Sequence, residues 1–157
     1  MVLIPGISEL LTGDMDITND QWKYLAGIFP EEKGKRGRPK RDLRSIVNGI
    51  FWLCRTGSPW AEIPKKFAPY STCHRIYKEL VQTGLWDQVL WKMALYLKEH
   101  EGVDITSLFK NQKFDLNADR KILFSILSNE ISKGSKSSRF NILMIFINPF
   151  PSQVQSD

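Results

Sequence analysis

Apolar residues recur at helical spacing through the first hundred positions of the chain and lose that rhythm afterwards. Leu43, Ile46, Val47, Ile50, Phe51 and Cys54 follow i, i+3, i+4, i+7, i+8 and i+11, which is one face of a helix. Asp42 is placed to cap its start and Gly57 to end it. Upstream, Thr18-Asn-Asp-Gln21 fits a capping box. Trp22, Leu25 and Phe29 then form an apolar face, and Pro30 stops that helix. Ser58-Pro59 restarts a short helix carrying Trp60, Ala61 and Ile63, with Pro59 at its first position. It ends at Pro64, and a turn runs from Lys65 to Tyr70. Ser71 then caps a fourth helix with a core face of Cys73, Ile76, Tyr77, Leu80 and Val81, closed by Gly84. A fifth helix follows through Leu85, Trp86, Val89, Leu90, Met93, Ala94 and Leu97. The pattern predicts an all-α fold: a small helix-turn-helix bundle of about five helices over residues 17–100.

The flanks differ. Residues 1–16 read as an N-terminal extension, with Met15 as a second possible start. In residues 101–157 Ser, Asn, Lys and Ile dominate, and Lys133 to Ser138 reads as a flexible stretch. Residues 120–131 suit a helix through Ile122, Leu123, Ile126 and Leu127. Residues 140–147 read as a strand or an apolar patch. The expectation for 101–157 is an irregular, poorly structured tail.

Composition narrows the class. The chain has 157 residues, room for one domain and a tail. Apolar residues make up 42%, enough for a core. No apolar run approaches the roughly 20 residues of a membrane helix, and no signal peptide is visible. Cys54 and Cys73 are too few for a disulfide framework or a complete zinc site. A reducing cytoplasm is the expected compartment. Charge changes the picture more. Residues 17–100 hold 15 Lys+Arg against 8 Asp+Glu, a net of +7, while the remaining residues hold 7 against 9, a net of −2. That asymmetry points to an anionic polymer; a solubilising surface is the plain alternative.

Short helix, turn, longer helix is an arrangement whose second helix fits the major groove of DNA. The outer face of the fourth helix carries Thr72, Arg75, Lys78 and Gln82, with Ser71 and His74 near its N-terminal end. Arg forks onto guanine O6 and N7, and Gln pairs with adenine. The helix N-terminus suits a phosphate. Lys35 to Arg41 holds the tetrad Arg36-Gly37-Arg38-Pro39. Gly allows close approach to a groove floor, Pro keeps the chain extended, and Arg is drawn into narrow minor grooves. Lys40, Arg41, Arg44, Lys65 and Lys66 are placed to serve phosphates. The competing reading is a three-helix bundle with a wet polar face and a solvated basic linker. The five tryptophans and the two cysteines read as core. There is no Gly-rich phosphate loop, nucleophile elbow or zinc-binding helix motif. Asp104, Asp115, Asp119 and Glu130 are acids without a common scaffold.

Six ordered blocks carry a family resemblance: Ile17-Thr-Asn-Asp-Gln-Trp22, Lys35-Arg-Gly-Arg-Pro-Lys-Arg-Asp-Leu-Arg44, Asn48-Gly-Ile-Phe-Trp-Leu-Cys-Arg-Thr-Gly-Ser-Pro-Trp60, Ile63-Pro64 with Phe67, Tyr70-Ser-Thr72 and Gly84-Leu-Trp86. In that order they resemble the N-terminal domain of bacterial insertion-sequence transposases of the DDE type. The resemblance implies recognition of the element's terminal inverted repeats by this domain. It also implies a following RNase H-like domain using three carboxylates and two Mg²⁺. It fails after Phe109, where Phe109-Lys-Asn-Gln-Lys-Phe114 stands in place of the first catalytic Asp motif. No catalytic role is therefore carried onto Asp104 or Asp115. The expected protein is a transposase-derived DNA-binding protein without its own catalytic core, not an enzyme on its own. It would need no cofactor, with Mg²⁺ entering only if the chain is joined to a catalytic domain. Expected partners are double-stranded DNA at element ends and either a full-length transposase or a second copy, with no membrane, at the bacterial nucleoid. Three alternatives stay open: the first reading frame of an active transposase completed by frameshifting, a module that pairs with the full-length enzyme and blocks its assembly, and a decayed gene product with no selected role.

Overall fold

A computed structural model of the chain describes residues 16–29, 42–115, 120–133, 138–146 and 149. Helix α1 spans Asn19–Ala26. Its start is the expected capping box: Gln21 N–H donates to Thr18 Oγ1 at 3.2 Å, and Thr18 N–H donates to Gln21 Oε1 at 3.1 Å. The helix stops at Ala26, short of Pro30. Phe29 still reaches the core from the turn that follows, because burial needs only the right side chain at the right place.

Helix α2 spans Leu43–Thr56. Asp42 accepts from Ser45 N–H at 3.3 Å. Gly57 ends the helix at φ 68° and returns its N–H to Leu53 O at 2.8 Å, the left-handed termination that glycine permits at least cost. Gly49 sits mid-helix for a different reason. A Cβ there would lie 3.0 Å from Cys73 Sγ and 3.5 Å from Ile63 and Phe67. The missing side chain lets the next helix lie close.

A single 3-10 turn, Trp60–Glu62, leads to helix α3, Tyr70–Gln82, and helix α4, Leu85–His100. Two expectations on α3 are corrected. Ser71 is not its cap: Pro69 holds the cap position, without a side-chain hydrogen bond, and Tyr70 opens the helix. Proline's restricted φ, here −54°, preorganises that first turn. Val81 is exposed rather than core, because Cys73, Ile76, Tyr77 and Leu80 already complete the inward face.

Regular structure extends further past residue 100 than the sequence pattern predicts. A 3-10 turn, Thr106–Leu108, precedes a two-stranded antiparallel hairpin, β1 Phe109–Lys110 and β2 Lys113–Phe114. Helix α5 covers Arg120–Ser132, as expected of 120–131. The segment read as a strand or an apolar patch is helix α6, Ser138–Ile145. Its run of Phe140, Ile142, Leu143, Met144 and Ile145 is buried on every side. An all-round apolar helix belongs inside a protein, and short apolar runs do not distinguish strand from buried helix.

One continuous core joins all these elements. Helix α3 packs on α2 and α4, α1 packs on α4, and α6 packs on α2. The chain is thus mostly helical, with five helical segments among the described residues between 17 and 100. Long-range polar contacts help tie the later segment to the earlier one: Arg55 Nε donates to Asn141 O at 3.2 Å, and Trp86 Nε1 donates to Pro149 O at 2.7 Å.

Candidate nucleic-acid interface

Helix α3 is positioned from three sides. Its inner face fills the gap that Gly49 leaves, Tyr77 packs on Trp86 with ring centres 5.4 Å apart, and Trp60 packs on Tyr77 at the same distance. At 100° per residue, Ser71, Arg75, Lys78 and Gln82 fall within a stripe about 60° wide. All four are exposed. The stripe lies opposite the buried Cys73, Ile76, Tyr77 and Leu80.

The other expected members sit on its shoulders or off it. Thr72 is half-buried on one shoulder. His74 is half-buried on the other, its ring 4.8 Å from that of Trp60, so it is partly committed to packing. Arg75 Nη1 lies 3.2 Å from Glu79 Oε1. Glu79 was missed in the sequence, though its place four residues after Arg75 is a recognised ion-pair spacing. Lys78 has no ion pair among the described residues.

The turn before α3 carries Lys65 and Lys66. Lys65 is exposed. Lys66 Nζ lies 3.3 Å from Asp16 Oδ1 and 4.8 Å from the centre of the Phe67 ring. Because Pro69 offers no capping side chain, the first-turn amides of α3 keep their positive end without a cap oxygen. The turn lysines and the helix terminus add in sign.

Arg44 is engaged inside the protein. Nη1 donates to Asn19 Oδ1 at 2.8 Å and Nη2 to Ile17 O at 2.5 Å. Buried Asn48 accepts from Ile17 N–H at 2.8 Å. Together they fasten the entry to α1 against α2. The signal for Asn48 was there: an amide in an otherwise apolar stretch of helix needs a partner. Arg36, Gly37, Arg38, Pro39, Lys40 and Arg41 lie outside the described residues.

The chemistry of the remaining groups is structural. Burial pushes the Cys73 thiol up to about 11 and the Cys54 thiol higher still. Neither offers a thiolate near neutral pH. The Thr106 hydroxyl and N–H both donate to Asp104 and hold its carboxyl below the usual range. Glu130 is buried and pairs with Arg139 at 2.9 Å. Among the described residues no group of three or more His, Cys, Asp and Glu side chains could hold a metal ion, and no helix is long and apolar enough to cross a membrane.

Residues 17–90 match the family described as "Putative transposase of IS4/5 family (DUF4096)". This stretch is similar to an N-terminal transposase region of IS4/5 type. The matched stretch includes α1 to α3 and the 3-10 turn. The chain is also 30% identical over 79 residues to "Uncharacterized protein y4sN" of Sinorhizobium fredii (strain NBRC 101917 / NGR234), covering 50% of this chain and 62% of that protein. It is 24% identical over 96 residues to "Insertion element IS402 uncharacterized 16.2 kDa protein" of Burkholderia cepacia, covering 57% of this chain and 65% of that protein. Both matches thus span less than two thirds of the relative's own length. No solved structure matches the chain.

Proposed function

We propose that residues 17–100 bind double-stranded DNA at the ends of an insertion element. The observation that carries this reading is the exposed stripe on α3, cationic and hydrogen-bonding, on a helix whose opposite face is locked into the core of an IS4/5-type transposase region. Ser71, Arg75 and Lys78 reach base edges in the major groove, with Thr72 beside them. Lys65 and Lys66 hold phosphates next to the helix N-terminus, where charge and dipole agree. His74 borders the contact from its seat against Trp60. Arg36 to Pro39 enter the adjacent minor groove, with Lys40 and Arg41 on its phosphates. Arg44 holds the platform together by its bonds to Asn19 and Ile17.

Glu79 adds a condition. In the free protein it holds Arg75, and that exposed pair is weak. A guanine that offers O6 and N7 competes well for the same guanidinium.

On this reading the chain binds DNA and does not cut it; a cleavage assay with Mg²⁺ on the 157-residue protein gives no product. The binding test uses two variants. Arg75→Ala costs on the order of 1–3 kcal/mol on an element end and relaxes sequence preference. Lys65→Ala weakens all sequences alike and flattens the salt slope by about one unit. Equal losses for both variants on element and random DNA would show that α3 presents a different face.

A further inference from the structure

The tip of the β1–β2 hairpin is unused by this reading. Phe109 pairs with Phe114 across the ladder, and Lys110 pairs with Lys113. Successive side chains alternate, so the phenylalanines occupy one side and the lysines the other. Phe109 lies 5.2 Å from Trp91 of α4, and Phe114 lies 5.4 Å from Phe146. That aromatic seat leaves Lys110, Asn111, Gln112 and Lys113 all exposed.

Two features of this tip cost stability in the free protein. Like charges directly opposite on a ladder repel. Asn111 and Gln112 sit at φ 52° and 63°, where a two-residue turn favours Asn followed by Gly and where Gln carries a steric cost that Gly avoids. Neither lysine has an ion pair among the described residues. Four consecutive cationic and amide side chains, set on a rigid base and mutually repelling, become favourable together when an anionic backbone reaches them. Lys supplies the charge, and Asn and Gln donate to phosphate oxygens.

We propose that Lys110 to Lys113 form a second contact to the DNA backbone, outside the stretch that α3 reads. The proposal rests on the DNA-binding reading. Its separate footprint comes from α4. Trp86 carries α3 through Tyr77, and Trp91 carries the hairpin through Phe109. Five positions along a helix turn about 140° around its axis. The tip and the α3 stripe therefore hang from different sides of α4 and meet different lengths of backbone.

The test titrates the full chain with mixed-sequence duplexes of about 12 and about 40 base pairs across a salt series. For Lys110→Gln with Lys113→Gln, affinity for the long duplex falls about tenfold and its salt slope flattens by about two units, while the short duplex is bound as before. Lys65→Gln with Lys78→Gln, as control, weakens both lengths. An unchanged long-duplex slope in the hairpin variant, with the control active, overturns the tip contact and leaves the α3 reading standing. Equal loss on both lengths overturns the separate footprint. Failure of the unaltered protein to bind either duplex overturns both readings. Thermal unfolding of the hairpin variant stays level or rises, because a repulsion is removed; a fall would assign the lost affinity to folding and overturn the proposal.

Discussion

Residues 17–100 announce themselves with caps, periodic apolar faces and terminal glycines, whereas the described residues after 100 carry few such signals. Yet Leu127, Phe140, Leu143 and Ile145 are as deeply buried as Leu25, Ile50 and Leu90. The difference lies in what each region leaves outside. Helix α3 shows water a stripe of Ser71, Arg75, Lys78 and Gln82, so its pattern alternates and is readable. Helix α6 keeps almost nothing outside, so it has no polar face to mark its period. The first region keeps a polar stripe in water, whereas α6 in the later one serves almost wholly as cover.

Removing that cover gives the largest expected effect. Phe140→Ala should destabilise the whole chain by about 3–5 kcal/mol, the usual cost of emptying a buried aromatic site. Chemical denaturation followed by tryptophan fluorescence reads it, since Trp86 bonds to Pro149 O across the same junction. A loss confined to helix content, with unchanged fluorescence midpoint, would make the two regions independent and break the comparison.

A cap in the first region should matter less. Thr18→Ala removes the hydroxyl that receives Gln21 N–H and costs about 1 kcal/mol. Thr18→Ser should restore most of it. If Ser fails where Thr succeeds, the local signal is not a hydrogen bond and the sequence reading of α1 rests on something else.

The smallest effect is a pH dependence inside the first region. Tyr24 donates to Glu99, contacts His100 Nε2 at 2.8 Å, and is held up to about 12 chiefly by the Glu99 hydrogen bond. The folded state keeps this proton more firmly than the unfolded chain, whose tyrosine titrates near 10. Its contribution is thus fully present below pH 10 and is lost as pH rises toward 12. Phenolate absorbance of the protein should contain a late step that Tyr24→Phe removes. A titration that Tyr24→Phe leaves unchanged above pH 10 would detach α1 from the end of α4.

Much of the site was legible because it depends on one helix. The spacing of Cys73, Ile76, Tyr77 and Leu80 names the buried side of α3, and the outer stripe follows from 3.6 residues per turn. Shoulder positions were not legible. His74 reads as polar until Trp60 is seen against its ring, and Arg44 reads as a free cation until Ile17 O and Asn19 come within reach. Those contacts join residues 14 to 27 apart in the chain. The hairpin was equally hidden, since Asn111-Gln112 lacks the glycine by which such turns are usually recognised.

Local chemistry alone determined the helical class, the cap at Thr18, the stop at Gly57 and the outward stripe of α3, because each depends on neighbours within a turn or two. Folding in three dimensions decided the rest. It placed Gly49 under Cys73, made a helix of residues 138–145, bonded Arg44 to Asn19 and Ile17 and seated a basic hairpin on Trp91. Burial is a property of surfaces that meet, and the partner surfaces here come from distant parts of the chain.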